Sequence, residues 1–161
     1  MKDAYLQIIA LIERLHREFL EVVKAELDRR AIRDLNNVQA MILFNIGEEE
    51  LSVGELTIRG CYLGSNVSYN LKKLTENGYI EQTRSPHDRR SVTVRLSEKG
   101  RSLAAGLSEL YARHVGALDE RVLTQGELTQ ANDVLVRLER FWASSLGYAW
   151  RVPGPVASDA A

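Results

Sequence analysis

RSPHDRRSVTVRLSEKG, residues 84–100, decides the fold. Ser85-Pro86-His87-Asp88 is turn chemistry: proline presets φ, and serine and aspartate bond their own backbone. Beyond it Val92, Val94 and Leu96 alternate with Thr93 and Arg95, the pattern of a strand with one face buried. Tyr79 to Arg84 predicts the partner strand, with weaker alternation. The two strands make a hairpin whose tip carries Arg89 and Arg90 next to Asp88. Ser97 then predicts the N-cap of a following helix.

Upstream of the hairpin three short helices are expected. Asn36 with Gln39, and Ser52 with Glu55, are capping-box pairs that open helices ending at Gly47 and near Gly60. Ser65 is the expected cap of the third, with Gly78 as its C′ residue. On that helix Val67, Leu71 and Leu74 form one apolar line, while Ser65, Tyr69, Lys72, Lys73 and Glu76 fall opposite. Three helices followed by a two-stranded wing make a winged helix-turn-helix.

Long helices flank this unit. Tyr5, Ile8, Ile12, Leu15, Phe19 and Val22 repeat at spacings of three and four, and Leu6, Ile9, Leu20, Val23 and Leu27 widen that stripe. Leu103, Leu107, Leu110, His114 and Leu118 mark another helix. Thr124 with Glu127 caps a last one bearing Leu128, Ala131, Leu135, Leu138 and Trp142. These seams carry more apolar surface than a winged domain needs to close its own core. After Gly147 the composition turns to Pro, Gly, Ala and Ser, a loose tail. The expected class is mainly α with a small β-hairpin wing.

The net charge of −1 hides a dipolar distribution. From Ser52 to Gly100 eight Lys/Arg stand against five acids, a local +3, so the rest carries −4. A basic middle that combines a polar helix face with an arginine-tipped hairpin suits DNA: the helix for a major groove, the arginines for the negative potential of a narrow minor groove. Asp88 can hold such a guanidinium in one pose through a bidentate pair. The expected contact set is Ser65, Asn66, Ser68, Tyr69, Asn70, Lys72, Lys73, Arg84, Asp88, Arg89 and Arg90. Two other readings of the same residues are a sequence-tolerant nucleoid-type DNA binder and a winged-helix protein-interaction module.

Other chemistry finds no foothold. His16, His87 and His114 form no ligand spacing, and neither a nucleophile elbow, a phosphate loop nor a carboxylate pair occurs, so no metal, cofactor or catalysis is expected. The lone Cys61 excludes an internal disulfide and reads as a small packing residue. No apolar run is long enough to span a bilayer and no signal-peptide core opens the chain; a cytoplasmic location without membrane contact is expected.

DRRSVTVRLSEKG (88–100) also resembles the wing signature of the multiple-antibiotic-resistance regulator (MarR) family, Asp-x-Arg-x-x-x-Val-x-Leu-Ser/Thr-x-x-Gly, through Asp88, Arg90, Val94, Leu96, Ser97 and Gly100. NVSYNLKKLTENGYI (66–80) resembles the family's recognition helix, and the likeness spans roughly residues 5–146. It departs in two places: Tyr69 stands where the family usually carries an arginine, and Ser85-Pro86 where it usually has Asp-Pro. RGCYLGSNVSYNLKKL (59–74) is similar to a smaller alphaproteobacterial-type subgroup that includes regulators of cell-wall L,D-transpeptidase genes. The resemblance implies one MarR-like domain over 1–161, with dimerisation helices at 1–30 and 101–146, a DNA-binding lobe at 36–100 and a flexible tail at 147–161. It further implies a homodimeric transcriptional regulator, repressor in type, on a pseudo-palindromic double-stranded operator. Arg90 would enter the minor groove with Asp88 as its partner. A small aromatic ligand would be met by Tyr5, Ile9, Leu35, Met41 and Phe44, residues that serve equally well as core.

Overall fold

The computed structural model describes residues 1–60, 64–84 and 92–145, with 64 and 65 in backbone only. Six helices and three strands follow in the order α1 (Lys2–Arg29), α2 (Asn37–Ile46), β1 (Leu51–Ser52), α3 (Val53–Arg59), α4 (Gly64–Glu76), β2 (Ile80–Arg84), β3 (Val92–Leu96), α5 (Glu98–Ala117) and α6 (Gln125–Ser145). The chain divides into two compact units, Met1–Tyr111 and Ala112–Ala161.

Within the first unit α2 is the hub. NVQAMILFNI carries no charge and is apolar nearly all round, which is the composition of a helix buried on several sides. Ile42, Leu43 and Ile46 are fully buried, in one core with Leu56 of α3, Val67 and Leu74 of α4, Val94 of β3, Leu107 of α5 and Val23 of α1. Each such side chain contributes about 1.5–3 kcal/mol by leaving water. Both expected capping boxes form: Asn36 Oδ1 accepts from the Gln39 amide at 2.9 Å, and Ser52 Oγ from the Glu55 amide at 3.1 Å. Their glutamine and glutamate side chains accept in return from the cap residues' own amides.

The sheet is three-stranded where the sequence predicts two. Leu51 and Ser52 pair antiparallel with Val94 and Thr93, giving the order β1-β3-β2. Two residues are too few to show alternation, so only the tertiary pairing reveals this strand. On the other side of β3, Ile80 opposes Leu96 and Arg84 opposes Val92.

The junction after α4 is a sharp turn. Gly78 has φ +75°, the left-handed region, and the Tyr79 amide donates to the Leu74 carbonyl at 2.9 Å, closing a Schellman-type end. Tyr79 is then gripped by the start of α5. The Ser97 amide donates to the Tyr79 carbonyl at 3.0 Å, Ser97 Oγ donates to the Gly78 carbonyl, and Ser97 Oγ accepts from the Gly100 amide at 3.1 Å. Ser97 is thus the N-cap of α5, as its sequence position predicts.

Along α1 only Val23, Glu26 and Leu27 are buried, all in its second half. Glu26 is 4% exposed and binds two guanidiniums, Arg29 at 2.6 Å and Arg30 at 2.7 Å. Arg30 reaches on to the Gly106 carbonyl and to Glu109 on α5. A carboxylate this deep needs such partners, because an unpaired buried charge would cost several kcal/mol.

α5 buries Leu103, Leu107 and Leu110, whereas His114 is exposed and Leu118 lies beyond the helix end, so the expected seam stops short. The second unit holds α6, opened by Thr124, whose Oγ1 accepts from the Glu127 amide. None of its side chains is buried. No helix among the described residues is long and apolar enough to cross a membrane.

Candidate nucleic-acid interface

The helix α4 has two unlike faces. Val67, Leu71 and Leu74 pack into the core, while Asn66, Ser68, Tyr69 and Lys72 are exposed on the far side. Tyr69 is 61% exposed and lies opposite the buried line of Val67, Leu71 and Leu74. Val67, Leu71 and Leu74 act as the anchor that sets which residues look outward.

Lys72 and Lys73 stand a turn further on and converge on Glu76, with Nζ to carboxylate distances of 3.9 and 2.8 Å. The hydrogen bond from Lys73 holds the Glu76 carboxyl below its ordinary pKa and raises the lysine's own. Positive charge on α4 is thereby collected at its C-terminal half. Arg84 is exposed at the end of β2.

Two expected members stand differently. Ser65 falls inside the first turn, because α4 begins at Gly64 rather than after a Ser65 cap; its side chain lies outside the described residues. Asn70 faces inward. It is 9% exposed, its Oδ1 accepts from Gln39 Nε2 of α2 at 3.2 Å, and its Nδ2 donates to the Asn66 carbonyl at 2.9 Å. At 100° per residue Asn70 lies about 60° from Val67, on the flank of the apolar stripe. Its side chain is turned onto α2 rather than outward with Tyr69 and Lys72. Asn70→Ala should therefore cost about 1–3 kcal/mol of stability, the penalty for stranding the buried Gln39 amide. Denaturation curves check this; an unchanged midpoint with weakened DNA binding would return Asn70 to the contact face.

Asp88, Arg89 and Arg90 lie outside the described residues, as do Cys61 and the tail from 147. The strands that carry the hairpin are in place, with Arg84 and Val92 in register at its far end. An open cleft of about 850 Å³ runs between α4 and the wing strands, lined among others by Val53, Gly54, Ser68, Lys72, Gln82 and Val92.

Sequence reading missed a cluster that fixes the end of α4. Asp34 accepts from the Tyr79 hydroxyl at 2.8 Å and from Lys99 at 2.7 Å, and Asn77 Nδ2 donates to the Asp34 carbonyl. Lys99 also lies 4.0 Å over the Tyr79 ring. Burial pushes the Asp34 carboxyl up, yet the bonds from Lys99 and Tyr79 outweigh it and hold it below its ordinary range. These residues are far apart in the chain and no local pattern joins them.

The residues expected to meet a ligand sit mostly in the core's margin. Leu35, Met41 and Phe44 are half-buried, Phe44 edge-on to Tyr111 at 4.9 Å, with the Tyr111 hydroxyl donating to the Met41 sulfur at 3.6 Å. Tyr5 is exposed and Ile9 half-buried on the first half of α1.

Comparison with known proteins matches this arrangement. A model described as a winged helix DNA-binding domain fits residues 35–100. The exopolysaccharide II synthesis transcriptional activator ExpG of Rhizobium meliloti is 42% identical over 144 residues, covering 89% of this chain and 74% of that protein. The HTH-type transcriptional regulator SarZ of Staphylococcus aureus is 25% identical over 132 residues, 81% of this chain and 85% of its own. Among solved structures, Streptococcus pneumoniae FabT in complex with DNA aligns with a TM-score of 0.70 at 20% identity, over 87% of this chain and 98% of that one. A MarR mutant from E. coli complexed with operator DNA aligns equally well, at 18% identity over 84% and 96%.

Proposed function

The chain belongs to the MarR family of winged-helix DNA-binding transcriptional regulators, and from that premise we propose that it acts as a cytoplasmic homodimer on a pseudo-palindromic operator. α4 enters the major groove of each half-site, and Arg90, steadied by Asp88, enters the adjoining minor groove. The observation that carries the reading is the exposed polar face of α4, with Tyr69 and Lys72 outward while Val67 and Leu71 fix the helix from behind. A protein-interaction module would have no use for that face beside an arginine-bearing wing, and a packaging protein would not need Tyr69.

Dimerisation is supported by apolar surface that each unit leaves uncovered. α1 exposes Tyr5, Leu6, Leu11 and Leu15, and α6 exposes Leu128, Val134, Leu135 and Phe141. Patches of this kind mark interaction surfaces. Deleting residues 1–20 should then give an aggregated or unfolded product in sedimentation and circular dichroism; a soluble, folded monomer would contradict the dimer. Release by a small aromatic ligand is part of the same reading, with Tyr5, Ile9, Leu35, Met41 and Phe44 nearest to hand.

The contact with DNA should be strongly electrostatic. Counterion release gives a log–log slope of about −0.9 per neutralised phosphate, so a dimer making roughly six phosphate contacts should show a slope near −5. Titrations across a salt series test it, and a flat response would mean that the basic middle is not the binding face.

A further inference from the structure

Resting on the DNA-binding reading above, we propose that α4 selects two adjacent A·T base pairs in each half-site, Asn66 reading an adenine and Tyr69 the methyl group of a thymine. A recognition helix meets base edges with its N-terminal residues. In this chain those residues, Gly64 to Leu71, include no arginine or lysine. The commonest guanine contact, a bidentate cation on O6 and N7, has no donor there. The cations of α4 begin at Lys72 and are drawn back toward Glu76, a position suited to backbone phosphate rather than to bases.

What the first two turns do present is specific. Asn66 and Tyr69 are both exposed and three residues apart, so they share one face. Three residues advance about 4.5 Å along a helix, close to the roughly 3.4 Å rise of one base pair, which sets the two side chains over neighbouring pairs. An asparagine amide matches adenine, its oxygen accepting from N6 and its nitrogen donating to N7. The tyrosine ring is the one large apolar surface on that face, and thymine's C5 methyl is the one apolar group in the major groove. Asn70, turned inward onto Gln39, is not available to compete.

The test starts from random-sequence duplexes selected on the full chain, then repeats the titration on the selected duplex carrying base analogues. Replacing the relevant thymidine by deoxyuridine removes only the methyl and should weaken wild-type binding about fourfold per half-site, the worth of one buried methyl. Replacing adenine by 7-deazaadenine removes N7 and should weaken it about tenfold. The deoxyuridine loss should vanish in Tyr69→Ala and survive in Tyr69→Phe, and the deazaadenine loss should vanish in Asn66→Ala. Both side chains are exposed, so the variants should melt like wild type. Because the methyl and N7 lie in the major groove, an A·T preference imposed from the minor groove leaves these analogues without effect, which would overturn the assignment. So would selected half-sites with G·C pairs at the major-groove positions. If no sequence is enriched at all, the regulator reading fails together with it.

Discussion

Gly100→Ala is expected to destabilise the protein by about 3 kcal/mol, the upper range for forcing extra volume into a packed site. A Cβ at this position would lie 2.1 Å from the Tyr79 carbonyl oxygen, 3.2 Å from its carbon and 3.3 Å from a Leu96 methyl. The first contact is with backbone, which cannot swing aside as a side chain can. Relief requires α5 to move off the turn that ends α4, and that breaks the bonds from Ser97 to Gly78 and Tyr79. The gain in helix propensity from glycine to alanine, about 1 kcal/mol, is too small to offset this. Gly116→Ala, on the same helix with nothing within 4 Å of its Cβ, is the control and should be neutral or slightly stabilising. Chemical denaturation of the two variants side by side separates steric conflict from propensity. Equal stabilities would mean that α5 does not approach Tyr79 as described.

The second large effect is on binding. Arg90→Ala should reduce operator affinity by about 1–3 kcal/mol per half-site, and both half-sites of a dimer would feel it. A minor-groove guanidinium meets focused negative potential that a cation elsewhere on the wing does not. Arg95 stands opposite Glu81, away from the Arg84–Val92 end of the strands that leads to the tip, so it is not placed to replace the lost charge. Asp88→Ala should lose less, because the arginine survives and only its pose is released. Neither change should shift the melting temperature by more than about 0.5 kcal/mol would, the usual range for a surface site. Equal affinities for wild type and Arg90→Ala would remove the wing from the interface.

Much of the fold could be read from sequence because its signals are local. The capping boxes at Asn36, Ser52 and Thr124 each span four residues, Gly78 marks a left-handed end, and Val92-Val94-Leu96 alternates cleanly. What escaped depends on pairing across the chain. β1 is two residues long and exists only because β3 accepts it. Asn70 is polar by type but lies on the flank of the apolar stripe, and its burial follows from Gln39 being opposite. Glu26, Arg30 and Gly106 meet across two helices, and Asp34, Tyr79 and Lys99 across three segments of chain. On α4, the outward placement of Tyr69 and Lys72 was legible from its periodicity, since Val67, Leu71 and Leu74 determine its rotation.

Sequence-specific binding by a two-fold dimer is tested most directly by footprinting on genomic fragments at physiological salt. The expected result is a bounded, protected site with two related half-sites whose centres lie one helical turn, about 34–36 Å, or a multiple of it apart. Diffuse protection that ignores sequence, or a single unpaired half-site, would contradict it.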